Sequence, residues 1–145
     1  MAASSFIQSN TTKGRVAKTP AAVLTGLEGT LVSLQTGSSG FAPVNTTGAG
    51  ARPDFIILES GTSVEATSDI NNTTNDLGTV ICLPLEANQQ VRVISTGSIG
   101  GGVAVQSDSS GRVVPASSGN WVLGITEESA IAGQYVLIRP LLYKM

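Results

Sequence analysis

Two stretches of this chain decide its fold, because they repeat each other: residues 25–40 read TGLEGTLVSLQTGSSG and residues 96–111 read TGSIGGGVAVQSDSSG. At this spacing of 71 residues, eight of the sixteen aligned positions are identical. A repeated order of strand, turn and strand is the signature of an internal duplication. The sequence therefore predicts two copies of one β-module, over about 21–86 and 90–142.

Two later segments of the first copy also have counterparts in the second. Residues 54–57 (DFII) match 120–123 (NWVL), and residues 78–85 (GTVICLPL) match 133–141 (GQYVLIRPL) with one residue inserted. Short apolar runs separated by Gly and Ser turns indicate strands and not helices. We therefore expect an all-β fold, a small barrel or sandwich of jelly-roll or β-tulip type.

The first twenty residues differ from the rest in charge and in pattern. They contain three basic residues and no acidic one, whereas the remainder holds five basic and ten acidic side chains. Without helical or alternating periodicity, residues 1–20 are expected to form an extended arm that precedes a single β domain over 21–145. The arm residues expected to bind an acidic partner are Phe6, Ile7, Lys13, Arg15, Val16 and Lys18.

The composition limits the classes of partner. Charged residues are only 12% of the 145, and the net charge is −2. A weakly charged surface suits a protein that is packed among neighbours, and nothing in it indicates nucleic acid or a membrane surface as a partner. The N-terminus lacks the apolar segment of a signal peptide, so we expect synthesis in a cytoplasm.

Candidate catalytic and cofactor-binding residues are few. The chain has no histidine and one cysteine, Cys82, which lies in an apolar run and has no histidine to activate it. The glycines of 97–102 precede a strand pattern and not a helix, which favours a tight β-bend over a phosphate-binding loop. We therefore predict no enzymatic activity, no cofactor and no metal site.

The acidic residues offer two weak alternatives. Glu127 and Glu128 are adjacent and point to different sides, so they are poorly placed to flank one glycosidic bond. Asp69 and Asp108 lie among Ser and Asn residues but lack the spacing of a calcium loop. A solvated turn is the favoured interpretation of Glu127 and Glu128, and calcium binding by Asp69 and Asp108 is not favoured.

The larger side chains offer one further alternative. Trp121, Tyr135 and Phe55 could form an aromatic platform for sugars, but the match of Phe55 with Trp121 favours two equivalent core positions. Arg52 and Arg112 are isolated in the sequence and are expected at the surface or at subunit contacts.

The second copy resembles the capsid decoration (cement) proteins of tailed bacteriophages over roughly residues 90–142, and the first copy resembles them more loosely over 23–60. The resemblance rests on GVAVQ (102–106), RVVPA (112–116), VLGITE (122–127) and AGQYVLI (132–138). The family resemblance implies a β-rich, non-catalytic virion protein that binds the outer surface of an expanded phage head and stabilises it. It further implies a homotrimer, the major capsid protein as partner, and an N-terminal arm that contacts the shell. The irregular stretch 60–78 has no counterpart in this pattern.

Two other functions stay open at this point. A carbohydrate-binding or receptor-binding β-module of a fibre or spike would need an exposed cluster of aromatic residues. A hydrolytic enzyme of all-β type would need two carboxylates that converge in a cleft.

Overall fold

The computed structural model describes residues 16–18, 21, 24, 28–36, 42–60, 80–87 and 89–145. This part of the chain contains ten strands and no helix, so none of its segments is a helix that could cross a membrane. The strands are β1 (Val16–Lys18), β2 (Leu31–Leu34), β3 (Val44–Thr46), β4 (Phe55–Ser60), β5 (Val80–Pro84), β6 (Val91–Ile94), β7 (Ala104–Ser107), β8 (Val113–Pro115), β9 (Trp121–Thr126) and β10 (Tyr135–Lys144). The predicted all-β fold is confirmed.

The strands form two antiparallel sheets with the same internal order. The first sheet is ordered β1-β5-β4-β2-β3 and the second β6-β10-β9-β7-β8. Raising each strand number of the first order by five gives the second, so the predicted duplication is confirmed as a repeat of topology. Among the described residues both sheets have open edges, which makes the architecture a two-sheet sandwich and not a closed barrel.

The pairing registers of the two sheets superimpose, and they correct the alignment drawn from the sequence. Leu31 pairs with Ile56 in the same way that Ala104 pairs with Ile125. Leu31 is therefore the counterpart of Ala104. The true spacing between the modules is two residues longer than the 71 given by the sequence alignment. A shift of two residues keeps every side chain on its own face of a strand, so the apolar pattern alone does not reveal the error.

The predicted match of Phe55 with Trp121 is wrong. Phe55 pairs with Pro84, and it is Gly124 that pairs with the equivalent Pro140. A side chain at Gly124 would collide with the backbone carbonyl of Arg139, so this position accepts only glycine. The first apolar residue of each strand was therefore a poor guide to equivalence.

Two parts of the chain depart from the predicted boundaries. Val16–Lys18, predicted within the arm, form the edge strand β1, which pairs with β5 from Val16 opposite Cys82 to Lys18 opposite Val80. Residues 45 and 46 begin a Thr- and Gly-rich segment whose composition predicts a loop, but they belong to the edge strand β3. Most of the irregular stretch 60–78 lies outside the described residues.

The two sheets pack so that non-equivalent faces meet. We call the side of each sheet that bears Val32 or its counterpart Val105 the front face, and the opposite side the back face. The back face of the first sheet contributes Leu31, Ile56 and Leu83 to a core that they share with the second sheet. The second sheet contributes front-face residues to that core: Val91, Val105, Val113 and Ile138. The sheets are therefore stacked back to front.

The front face of the first sheet carries a separate apolar cluster. Its buried members are Leu24, Val32, Val44, Ile57 and Cys82, with half-buried Val16 and Phe55 packed against them. By register, Val32, Val44 and Cys82 correspond to Val105, Val113 and Ile138 of the second sheet. Each module therefore has the same apolar face in a different environment.

Backbone hydrogen bonds join the modules around the shared core. The Leu31 N–H donates to the Gly111 carbonyl (2.8 Å), and the Ile94 N–H donates to the Gly29 carbonyl (3.1 Å). Near the start of β9, Gly50 donates to the Ser107 carbonyl (2.9 Å). These bonds satisfy buried backbone groups across the junction and fix how the two modules pack on each other.

Candidate functional site

Two of the predicted arm residues take part in the sheet. Val16 packs on the front-face cluster of the first sheet, and the ammonium of Lys18 lies 5.4 Å from the centroid of the Phe55 ring. At this distance a cation–π contact of about 0.5–1 kcal/mol is expected. Both side chains are half-buried and already have partners within the chain. The other predicted arm residues, Phe6, Ile7, Lys13 and Arg15, lie outside the described residues.

The single thiol is placed where it has little reactivity. Cys82 is fully buried in the front-face cluster of the first sheet. Burial raises the pKa of Cys82 to about 12, although the Lys18 charge acts in the opposite direction. A thiol without a thiolate form at neutral pH is a weak nucleophile. The buried position agrees with the apolar run in which Cys82 lies in the sequence.

The glycine-rich segment is a β-bend, as predicted. It leads into β7 and not into a helix, and Gly102 has a φ of +76°.

The turn that follows β7 is organised by Asp108, which accepts from the Ser110 N–H (2.7 Å) and the Arg112 N–H (3.0 Å) and from the Thr96 hydroxyl. The Asp108 carboxylate is thereby used in closing its own turn. Within the described residues no group of three His, Cys, Asp or Glu side chains is placed to hold a metal ion.

The paired acidic residues belong to surface ion pairs on the back of the second sheet. Glu127 accepts from Arg139 at 2.6 Å, and this hydrogen bond is the main reason that the pKa of Glu127 is lowered. Glu128 contacts Arg92 at 3.1 Å and accepts from the Leu137 N–H at 3.2 Å. Each carboxylate has its own basic partner, so the two do not converge on one site.

The aromatic residues have three different surroundings. Phe55 lies under Lys18 in the first sheet. Trp121 lies 5.5 Å from the Arg52 guanidinium, and the Tyr135 hydroxyl donates to the Glu28 carbonyl at 2.9 Å. All three are half-buried, so the expectation of equivalent core positions for Phe55 and Trp121 is not met. Their separate partners also give no common platform for a sugar.

The end of β10 holds three of the five exposed large apolar side chains of the described residues. Leu141, Tyr143 and Met145 are 50%, 37% and 53% exposed. They follow Pro140, where β10 continues for four residues although its counterpart β5 ends at Pro84. The sequence repeat did not reveal this surface, because the segment that matches 78–85 ends at residue 141. The alternating Leu141, Tyr143 and Met145 were the signal that could have revealed it.

Comparisons with known proteins identify a shared fold. No protein-family model and no curated protein sequence matches the chain. Among solved structures, the chain is similar to the head fiber gp8.5 N base of bacteriophage phi29, with a TM-score of 0.67 and 21% sequence identity. The match covers 90% of this chain and 98% of that one. Nearly the whole two-module fold is therefore shared.

Proposed function

We propose that this chain is a structural protein of a phage virion that attaches to the outer surface of the expanded head and stabilises it. The observation that carries the proposal is the fold likeness to a phage head-fiber base, which extends over almost the full length of both chains. The resemblance of residues 90–142 to decoration proteins supports the same location. The proposed partner is the major capsid protein, and the proposed assembly is a homotrimer.

The described side chains support a binding role better than a catalytic one. The thiol is buried, and Glu127 and Glu128 are held in separate ion pairs. The remaining surface is rich in small polar residues, as suits a protein that contacts neighbours over wide, weakly charged areas. Three linked copies that each contribute about 4 kcal/mol could approach nanomolar affinity. Preferential binding to the expanded lattice would then stabilise it by mass action.

The arm remains the proposed contact with the shell, but fewer of its residues are available. Val16 and Lys18 are engaged with β5 and Phe55, so the candidates narrow to Phe6, Ile7, Lys13 and Arg15. The two basic residues suit an acidic shell surface.

The test is cosedimentation with expanded, undecorated heads from the same source. The full chain is compared with a chain that lacks residues 1–15, which keeps β1, and with the double variant Lys13→Ser/Arg15→Ser. Saturable pelleting near one copy per shell subunit supports the proposal, and weaker pelleting of both altered chains assigns shell contact to the arm. Pelleting of none of the three rejects attachment to the head.

A second candidate function is the base of a head fibre, because the similar structure is itself a head-fiber base. A base would bind the head without stabilising the lattice. Heating filled heads with and without the bound protein separates the two functions. A rise in the temperature of DNA release indicates stabilisation, whereas unchanged release with intact binding indicates a fibre base.

A further inference from the structure

The edge of β10 beyond Pro140 has the properties of a docking site for a further strand. β10 pairs with β6 only over Tyr135 to Ile138, whereas its pairing with β9 extends to Lys144, with a β-bulge between Pro140 and Tyr143. From Leu141 to Lys144 the other side of β10 has no strand partner among the described residues. We call this four-residue stretch the β10 edge.

Proline explains why the neighbouring strand stops where it does. The Glu127 N–H donates to the Leu137 carbonyl, which places the backbone groups of Leu137 on the β9 side and those of Pro140 on the opposite, β6 side. Proline has no N–H, so pairing with an outer strand cannot continue through this residue. Pro84 holds the same position in the first module, and β5 ends there. Only the second module carries its strand past the proline.

The β10 edge is apolar as well as unpaired. Leu141 and Tyr143 lie on it, and Met145 follows directly, so three of the five exposed large apolar side chains among the described residues fall within five positions. An exposed apolar edge is a template for strand addition and a liability unless something covers it. Basic Lys144 on the same stretch makes a basic occupant unfavourable at that end.

We propose that residues 5–8 (SFIQ) of a neighbouring copy add to the β10 edge as a short β-strand, with Phe6 beside Tyr143 on one face and Ile7 beside Leu141 on the other. Strand addition uses main-chain hydrogen bonds and needs only one or two apolar side chains for specificity. Within residues 1–15, Phe6 and Ile7 are the only adjacent pair of large apolar residues, and the residues before and after them, Ser5 and Gln8, are uncharged. No other segment before β1 fits an apolar edge.

Length and symmetry make the exchange between copies feasible. The eight residues between Ile7 and Val16 can span roughly 25–30 Å, enough to cross from one subunit to the next. A contact between an arm and a different surface of its neighbour is heterologous, and such contacts form a ring such as a trimer when the rotation between copies closes. Of the four candidates for contact with the shell, this arrangement uses Phe6 and Ile7 between subunits. Lys13 and Arg15 lie between the docked segment and β1, so these two stay available to a shell. The contact needs no shell and can be tested without one.

Cross-linking tests the position directly. In the full chain, Phe6→Cys is combined with Tyr143→Cys, and a matched control combines Phe6→Cys with Ser98→Cys, which is exposed in the glycine-rich bend. Buried Cys82 does not compete, because its pKa of about 12 leaves little thiolate. Mild oxidation should give covalent dimers and trimers only with Tyr143→Cys. A bond within one chain, equal cross-linking of the control, or no bond at all overturns the proposal.

Self-association tests the apolar contact. The variants Phe6→Ser/Ile7→Ser and Leu141→Ser should each raise the dissociation constant of the oligomer about tenfold or more, since each removes buried apolar area. The control Thr11→Ser/Thr12→Ser alters the same arm without apolar loss and should leave it unchanged. Sedimentation equilibrium provides the measurement, and melting temperatures show that each variant folds. Unchanged association of Phe6→Ser/Ile7→Ser overturns the proposal, whether or not the chain binds heads.

Discussion

Gly29 and Gly102 hold the same position in the two modules, yet alanine substitutions there should differ greatly in cost. Their φ angles are +88° and +76°, so alanine incurs a left-handed backbone penalty of about 1–2 kcal/mol at either position. A Cβ added to Gly102 meets nothing within 4 Å. A Cβ added to Gly29 collides with the ring of Tyr135, which belongs to the other module.

The collision sets the additional cost at Gly29. Tyr135 is held by the bond from its hydroxyl to the Glu28 carbonyl (2.9 Å), so its ring cannot swing away without losing that bond. Overpacking costs about 1–3 kcal/mol, and the lost hydrogen bond costs about 0.5–1.5 kcal/mol. We therefore expect Gly102→Ala to lower the free energy of unfolding by about 1–2 kcal/mol and Gly29→Ala by about 3–6 kcal/mol.

Urea unfolding followed by Trp121 fluorescence measures both costs. The same substitutions in a Tyr135→Ala background separate the two terms, because removing the ring removes the collision. There, Gly29→Ala should cost no more than Gly102→Ala. Equal costs for the two glycines in the natural background, or an unchanged cost of Gly29→Ala after Tyr135→Ala, would refute the assigned packing between the modules.

Three further predictions follow from named contacts. Cys82 should resist thiol labelling at mildly alkaline pH and react fully only in denaturant, because burial raises its pKa to about 12. The pKa of Glu127 is lowered in the folded state. Its ionised form therefore stabilises the fold above the unfolded-state pKa, and this stabilisation is lost as the pH falls through the folded-state pKa. Glu127→Gln should flatten this acidic part of the curve of unfolding free energy against pH, measured by urea unfolding. Gly111→Ala should destabilise by about 2–4 kcal/mol in a thermal melt, because its Cβ would lie 2.6 Å from the Leu31 carbonyl oxygen, a backbone atom that cannot rotate away.

The sequence was informative about which strands exist and how they are ordered. Gly and Ser turns mark where strands end, and apolar runs mark where they are buried, so the repeat correctly predicted two modules of the same topology. It was misleading about register. In the second copy, the identities that defined the spacing of 71 lie mostly in turns and bends, where Gly and Ser are favoured at several positions. Register depends instead on the partner strand. The pairing of Phe55 with Pro84 shows this dependence.

The ends of the strands were harder to predict for a physical reason. Val16–Lys18 has too few residues to show a period, and it becomes a strand only because the edge of β5 is available to it. Proline often ends a strand because it has no N–H to donate. At Pro140 the missing N–H is on the outer side of β10, where no partner strand needs a donor, so β10 continues. Both outcomes depend on neighbours distant in sequence.

The sheets stack back to front, and the back face of the second sheet could in principle receive a third sheet in the same way. The first sheet packs on the second through the back-face residues Leu31 and Leu83. By register, the back face of the second sheet carries Ala104 and Arg139 at these positions. A small residue and an ion-paired arginine therefore replace the two leucines. Ala104 offers less apolar area to bury, and Arg139 would lose its hydration against a third apolar sheet. The two modules thus share one register but differ on this face, and the back face of the second sheet does not favour the stacking of a further sheet.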